Sequence, residues 1–243
     1  MKNLILIMLA IVFSSQANAQ SNFAATRAKI EQAMTGEQRA EADTRRDANR
    51  KPVETLEFFQ FREGMQVLEL VPAAGWYTKI LAPTLRENGM LYVSLGTDGL
   101  ASALLTQPGF DRVKVINSDV NMRGLEPFDF EASELDMVLT FRNLHNINDS
   151  GRAILNSAVY NSLKSGGLYG VIDHTRRHLE PGSRANGRRM DPVLVVKEIE
   201  DAGFEFVDFS DLHYRPVDDL SLEVGQSSVA GRTDRFTFLF RKP

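Results

Sequence analysis

The run Val67-Leu68-Glu69-Leu70-Val71-Pro72-Ala73-Ala74-Gly75-Trp76-Tyr77-Thr78 places one acidic residue near the end of an apolar stretch and follows it with a turn of small residues. It reads as a buried strand, a tight turn and the start of a helix, which is where doubly wound α/β proteins bind nucleotide-like ligands. A carboxylate there accepts hydrogen bonds from a ligand amine or hydroxyl, and the small residues let the ligand approach the backbone. His145 and His174 supply the second feature, since each follows a strand-like apolar run. Imidazole titrates near neutral pH, so either ring, on the ligand-binding rim of an open sheet, is a candidate general base toward an acceptor O–H or N–H. A lone histidine is also compatible with a satisfied structural role. Two on one rim, with Asn143 and Asp173 as the respective neighbours that could fix a tautomer, favour chemistry. His174 and His178 are spaced i, i+4, yet they follow a strand and lack the glutamate of a zinc helix, so no metal site is expected.

The elements that must hold these groups follow from periodicity. From Gln66 onward, strand-like and helical apolar spacings alternate, the pattern of a parallel sheet covered by helices. Strands are predicted near 66–71, 91–95, 112–117, 135–141 and 167–173, with helices near 75–87, 99–106, 150–163 and 191–202. Two closing β patterns, Phe204 to Phe209 and Arg235 to Arg241, are separated by an irregular polar stretch. Upstream, Asn22 to Phe61 is charge-dense, and its apolar positions Phe23, Ala24, Ile30, Ala33, Val53, Leu56, Phe58 and Phe59 predict helices laid over an edge of the core. The run Arg45 to Pro52 fits a solvated helix face, with a lid over the ligand site as the alternative. Trp76 and Tyr77 either pack in the core or wall the pocket. Gly182 to Arg189 is a basic loop on the same rim, either solvated or a clamp for an anionic substrate.

Lys2 precedes an apolar run, Leu4 to Phe13, too short to span a bilayer with ease, and Ala17-Asn18-Ala19 has the small-x-small pattern of a leader cleavage site. The expected organisation is a signal peptide over 1–19, an N-terminal helical cap over 20–61 and an α/β domain over 62–243. The mature chain would begin at Gln20, be periplasmic or secreted, and hold no transmembrane segment. The formal charge of −4 argues against nucleic acid as a partner, because phosphate neutralisation needs a basic surface. With no cysteine there is no disulfide framework and no thiol nucleophile. A Gly-x-Ser-x-Gly elbow is also missing, which argues against a hydrolase. No sequence feature sets an oligomeric state.

Five βα units, a sixth strand, a long return and a seventh strand resemble the class I S-adenosylmethionine-dependent methyltransferases over roughly Arg46 to Pro243. Glu69 to Gly75 occupies the place of that family's acidic-x-Gly-x-Gly-x-Gly loop. Leu135 to Phe141, running into Arg142-Asn143-Leu144-His145, looks like the fourth strand and its substrate-facing exit. Leu163-Lys164-Ser165-Gly166-Gly167-Leu168-Tyr169 is similar to the turn into the fifth strand. More narrowly, the leader, Gly75-Trp76-Tyr77-Thr78, Ile172-Asp173-His174 and the tail from Gly231 resemble a bacterial group of predicted exported methyltransferases.

The resemblance implies a Rossmann-like, seven-stranded sheet of order 3-2-1-4-5-7-6 with the last strand antiparallel, binding S-adenosylmethionine and a small-molecule acceptor. Glu69 would hold the methionine amino end, the loop at Val71, Ala73 and Gly75 would pass under the sulfonium and ribose, and Asp119 would accept from the adenine amine. The ribose acid normally ends the second strand; Leu95 stands there, and the nearest carboxylate is Asp98. Two of the three loop glycines are replaced. Val71 is β-branched and precedes Pro72, which predicts extended geometry and a loop bent differently from the family norm. Two functions therefore compete: an envelope methyltransferase, and an exported non-catalytic binding protein on a degenerate methyltransferase scaffold.

Overall fold

The computed structural model describes residues 23–100, 102–117, 119–122 and 124–243; the leader expected over 1–19 lies outside the described residues. Seven apolar runs form one sheet: β1 (Gln66–Leu70), β2 (Met90–Ser94), β3 (Lys114–Ile116), β4 (Leu135–Phe141), β5 (Leu163–His174), β6 (Glu205–Phe209) and β7 (Arg235–Arg241). Their order is β3-β2-β1-β4-β5-β7-β6. The pairs from β3 through to β5 are parallel, and β7 is antiparallel to both β5 and β6, the predicted arrangement. β3 keeps only three of the six residues expected. β5 starts at Leu163, earlier than expected, because Leu163 pairs with Leu135 across a register shift.

Side-chain alternation sorts each inner strand onto two faces. Leu68, Leu70, Val138, Tyr169 and Val171 pack under α6 (Asp149–Ser162) and α7 (Pro192–Glu200). The opposite face, with Val67, Met137, Leu139, Phe141 and Ile172, is covered by α5 (Thr78–Leu85) and by the N-terminal segment. That segment comprises α1 (23–34), α2 (Glu41–Thr44), α3 (Asp47–Arg50) and α4 (Pro52–Phe58). Its Phe23, Ile30, Leu56 and Phe59 share one core with the sheet. Caps place the helix starts: Asn148 accepts from the Gly151 N–H at 2.8 Å, and Asp191 accepts from the Val193 N–H at 3.0 Å ahead of Pro192. Strand order reverses between β1 and β4, so a crevice opens at their carboxyl ends.

Candidate active site

A cavity of about 380 Å³ occupies that crevice. Glu69 enters it from β1 on the face shared with α5 and is only 2% exposed. Its Oε2 accepts from the Thr78 hydroxyl at 2.7 Å. Burial pushes the carboxyl up to about 7, against the opposing effects of the Thr78 hydrogen bonds and the Arg50 charge.

The loop that follows departs from expectation. Val71 has φ 54°, Ala73 φ 50° and Gly75 φ 77°, so all three positions of the glycine motif are left-handed although only one is glycine. Local preference at Val71 is overridden from two sides: its N–H donates to the Ser94 carbonyl at 2.8 Å, and its carbonyl accepts from Asn143 Nδ2 at 3.2 Å. Holding a β-branched residue there costs on the order of 1–3 kcal/mol. At Gly75 a Cβ would stand 2.7 Å from the tip of the Leu100 side chain, which would have to move aside.

His145 lies on the 3-10 turn Leu144–Asn146 after β4, and His174 is the last residue of β5; both line the cavity, with ring centroids 5.8 Å apart. The tautomer partners are not the ones predicted. Asp173 serves His145, its Oδ1 standing 2.7 Å from His145 Nδ1, while Oδ2 accepts from the His145 backbone N–H at 3.2 Å. Neighbours on a strand point to opposite faces, so the Asp173 carboxylate reaches the backbone N–H of His174 and not its ring. His174 Nδ1 instead meets Thr233 Oγ1 at 2.8 Å, and the Asn143 amide donates to the carbonyls of Val71 and Phe141. Burial, together with Arg235, Arg142 and His145 nearby, pushes His174 far below the usual histidine range, so its ring is neutral.

Trp76 and Tyr77 fill both roles considered for them. They are buried and they line the cavity, with Tyr77 stacked on Phe141 at 3.5 Å and Trp76 Nε1 donating to the Asp43 carbonyl at 2.9 Å. Arg46 and Arg50 bring the basic run over the cavity, while Arg45 stays exposed. In the basic loop Arg189 is buried against Asp218 and Arg188 pairs with Glu223.

No protein-family model matches this chain, and no curated protein is similar to it in sequence. Among solved structures it is similar to a SAM dependent methyltransferase from Aquifex aeolicus, with TM-score 0.60 and 17% identity over 89% of this chain and 98% of that one. The glycopeptide N-methyltransferase MtfA gives TM-score 0.54 and 16% identity, covering 81% and 97%. The fold is that of the S-adenosylmethionine-dependent methyltransferases. The [4+2]-cyclase SpnF is equally similar, with TM-score 0.57 and 17% identity over 86% of each chain, so the fold does not decide the reaction.

Against the methyltransferase fold, the six predicted cofactor positions divide. Glu69, Val71 and Ala73 line the cavity. Gly75 does not, because Leu100 and Leu104 cover it. Asp98 and Asp119 are exposed and lie outside the lining, and Leu95 is fully buried in the apolar core. Arg50 and Arg142, which the sequence reading passed over as site residues, do line it. Arg142 had a signal, since residues just past parallel strands face the ligand crevice. Arg50 lies in the run Arg45 to Pro52, for which a lid over the ligand site was the alternative to a solvated face, and tertiary packing decides for the lid at Arg46 and Arg50.

Proposed function

We propose that this chain is an exported S-adenosylmethionine-dependent methyltransferase acting on a small-molecule acceptor in the cell envelope. The observation that carries the reading is the His145–Asp173 pair, 2.7 Å apart, opening onto the same cavity as the buried Glu69 in a methyltransferase fold. The cofactor supplies a methyl group already activated on a sulfonium, which leaves positioning, desolvation and proton removal to the protein. Glu69 suits the α-ammonium of its methionine end, since a carboxyl held near 7 by burial becomes a carboxylate when a cation arrives. The exposed backbone at Ala73 and Ala74 leaves room for close approach. Tyr77 stacked on Phe141 excludes water from the floor. Asp173 accepts a hydrogen bond from the Nδ1–H of His145, which fixes the tautomer and leaves Nε2 to take the acceptor's proton as the methyl group transfers. The leader pattern at the amino terminus supports the envelope location.

One observation favours the second reading, an exported binding protein without catalysis. Neither Asp98 nor Asp119 lines the cavity, so the two carboxylates assigned to the adenosine end of the cofactor are missing from it. Calorimetric titration of the mature chain with S-adenosylmethionine and S-adenosylhomocysteine separates the two. Binding of both, weakened in Glu69→Gln, supports the methyltransferase; binding of neither leaves only the binding protein.

A further inference from the structure

We infer that the acceptor is an anion, with its carboxylate or phosphate group held by Arg50 and Arg142 and backed by Arg235. This deepens the methyltransferase reading and rests on it only for the word acceptor.

Buried arginines elsewhere in the molecule are paired. Arg189 makes two bonds to Asp218, at 2.9 and 3.0 Å, and Arg39 makes two to Asp47, at 3.0 and 2.5 Å. Arg50 and Arg235 are 7% and 4% exposed, and with Arg142 they form no ion pair among the described residues. Arg235 Nε is buried without a hydrogen-bond partner, and its Nη1 reaches only the Asn49 carbonyl at 3.5 Å. The Arg50 guanidinium carbon sits over the Trp76 ring, 4.3 Å from its centroid.

Leaving such charges buried and unpaired is costly, because desolvation is not offset by an opposite charge. Burial and then mutual repulsion push Arg50 down to about 9 and Arg235 down to about 10, with Arg142 the largest charged contributor in both cases. The nearby acids are committed elsewhere. Asp173 is taken by His145 and the His174 N–H, Asp43 by Lys79 at 2.7 Å, and Glu69 by Thr78. Asp173 and Glu69 act on these arginines only from a distance, without an ion pair, so an anionic ligand would supply the direct counter-charge.

Position assigns that ligand to the acceptor side. Arg142 immediately follows β4, three residues ahead of His145, and its φ of 62° breaks the strand's alternation at the cavity. Its N–H donates to the Ile172 carbonyl, which fixes that turn against β5. Arg235 faces His174 directly across the β5–β7 pairing. Guanidinium forks match the paired oxygens of carboxylates and phosphates, and a buried fork binds them far better than a hydrated one. The basic loop, read as either solvated or a clamp for an anion, does not compete, since Arg188 and Arg189 already hold Glu223 and Asp218.

The test uses the mature full-length chain, titrated by calorimetry with sodium phosphate and with sodium malonate against sodium chloride of equal ionic strength, and melted without added anion. Millimolar binding of phosphate, of malonate or of both is expected, the pattern telling phosphoryl from carboxylate recognition. Arg142→Gln and Arg50→Gln should each weaken it at least about tenfold, while the surface variant Arg241→Gln leaves it unchanged. Arg142→Gln should also raise the anion-free unfolding temperature, because it removes a half-buried charge that repels the buried Arg50 and Arg235; a merely structural arginine would lower it. Saturating S-adenosylhomocysteine should leave anion affinity intact. No binding of either anion, glutamine variants that bind normally or melt lower, or displacement by S-adenosylhomocysteine would each overturn the assignment. If S-adenosylhomocysteine itself fails to bind while the anion still does, the methyltransferase reading falls and the anion site stands.

Discussion

His145 and Asp173 meet at 2.7 Å across the ends of two adjacent parallel strands, β4 and β5, although 28 residues separate them in the chain. The same carboxylate also accepts from the backbone N–H of His145 and of His174, so one fully buried acid orients one histidine ring and braces the turn that carries it. His174 stands beside them as a neutral ring. The two histidines are therefore unequal, and that asymmetry can be measured.

Replacing His145 by Gln should lower methyl transfer by roughly 10²–10⁴-fold with little change in cofactor affinity, the usual weight of a positioned general base. Asp173→Asn should lower it too, by presenting the wrong tautomer. His174→Gln should cost less than His145→Gln, because a ring held neutral by burial is a poor base. Steady-state kinetics of the three variants decide the matter: a His174 effect larger than that of His145, or full activity in His145→Gln, rejects His145 as the base.

Glu69 makes stability depend on pH. Its folded pKa of about 7 lies above the ordinary 4.5, so between those values the folded state retains a proton that the unfolded chain releases. Stability from this group is complete below about 4.5 and falls as pH rises toward 7, by about 3 kcal/mol in all. Glu69→Gln, neutral at every pH, should gain on the wild type between pH 5 and 8 in thermal melts. In ligand titrations the same variant should lose about 1–3 kcal/mol of S-adenosylmethionine affinity. Parallel melting curves across the pH range would show that Glu69 is not perturbed.

Ala73 is exposed and sits at φ 50°, where a side chain carries a steric cost that glycine escapes. Ala73→Gly should stabilise the fold by about 0.5–1 kcal/mol, after allowing for the greater freedom of glycine in the unfolded chain. Chemical denaturation measures it, and a lower midpoint for the variant would mean that the loop is not left-handed in solution.

Export is tested by intact mass. The periplasmic or culture fraction should yield a chain starting at Gln20, soluble without detergent. Recovery of the Met1 terminus, or extraction only into detergent, would count against the leader.

The sequence by itself determined the sheet. Apolar runs such as Leu135 to Phe141, the alternation of Arg235 to Arg241 and the small-residue turn after Glu69 are local patterns, and burial acts on them residue by residue. They sufficed for seven strands and for two histidines on one rim, while the strand order and the antiparallel β7 are what the methyltransferase resemblance implied. Pairing between side chains was settled only by the tertiary structure. Asp173 turned to His145, and the left-handed Val71 was held by Ser94 and Asn143 against its own preference. Arg50 was brought from the cap over a cavity built on β1 and β4. Each of these depends on contacts between residues far apart in the chain, which leave no trace in local periodicity, and together they give the cavity its unpaired positive charge.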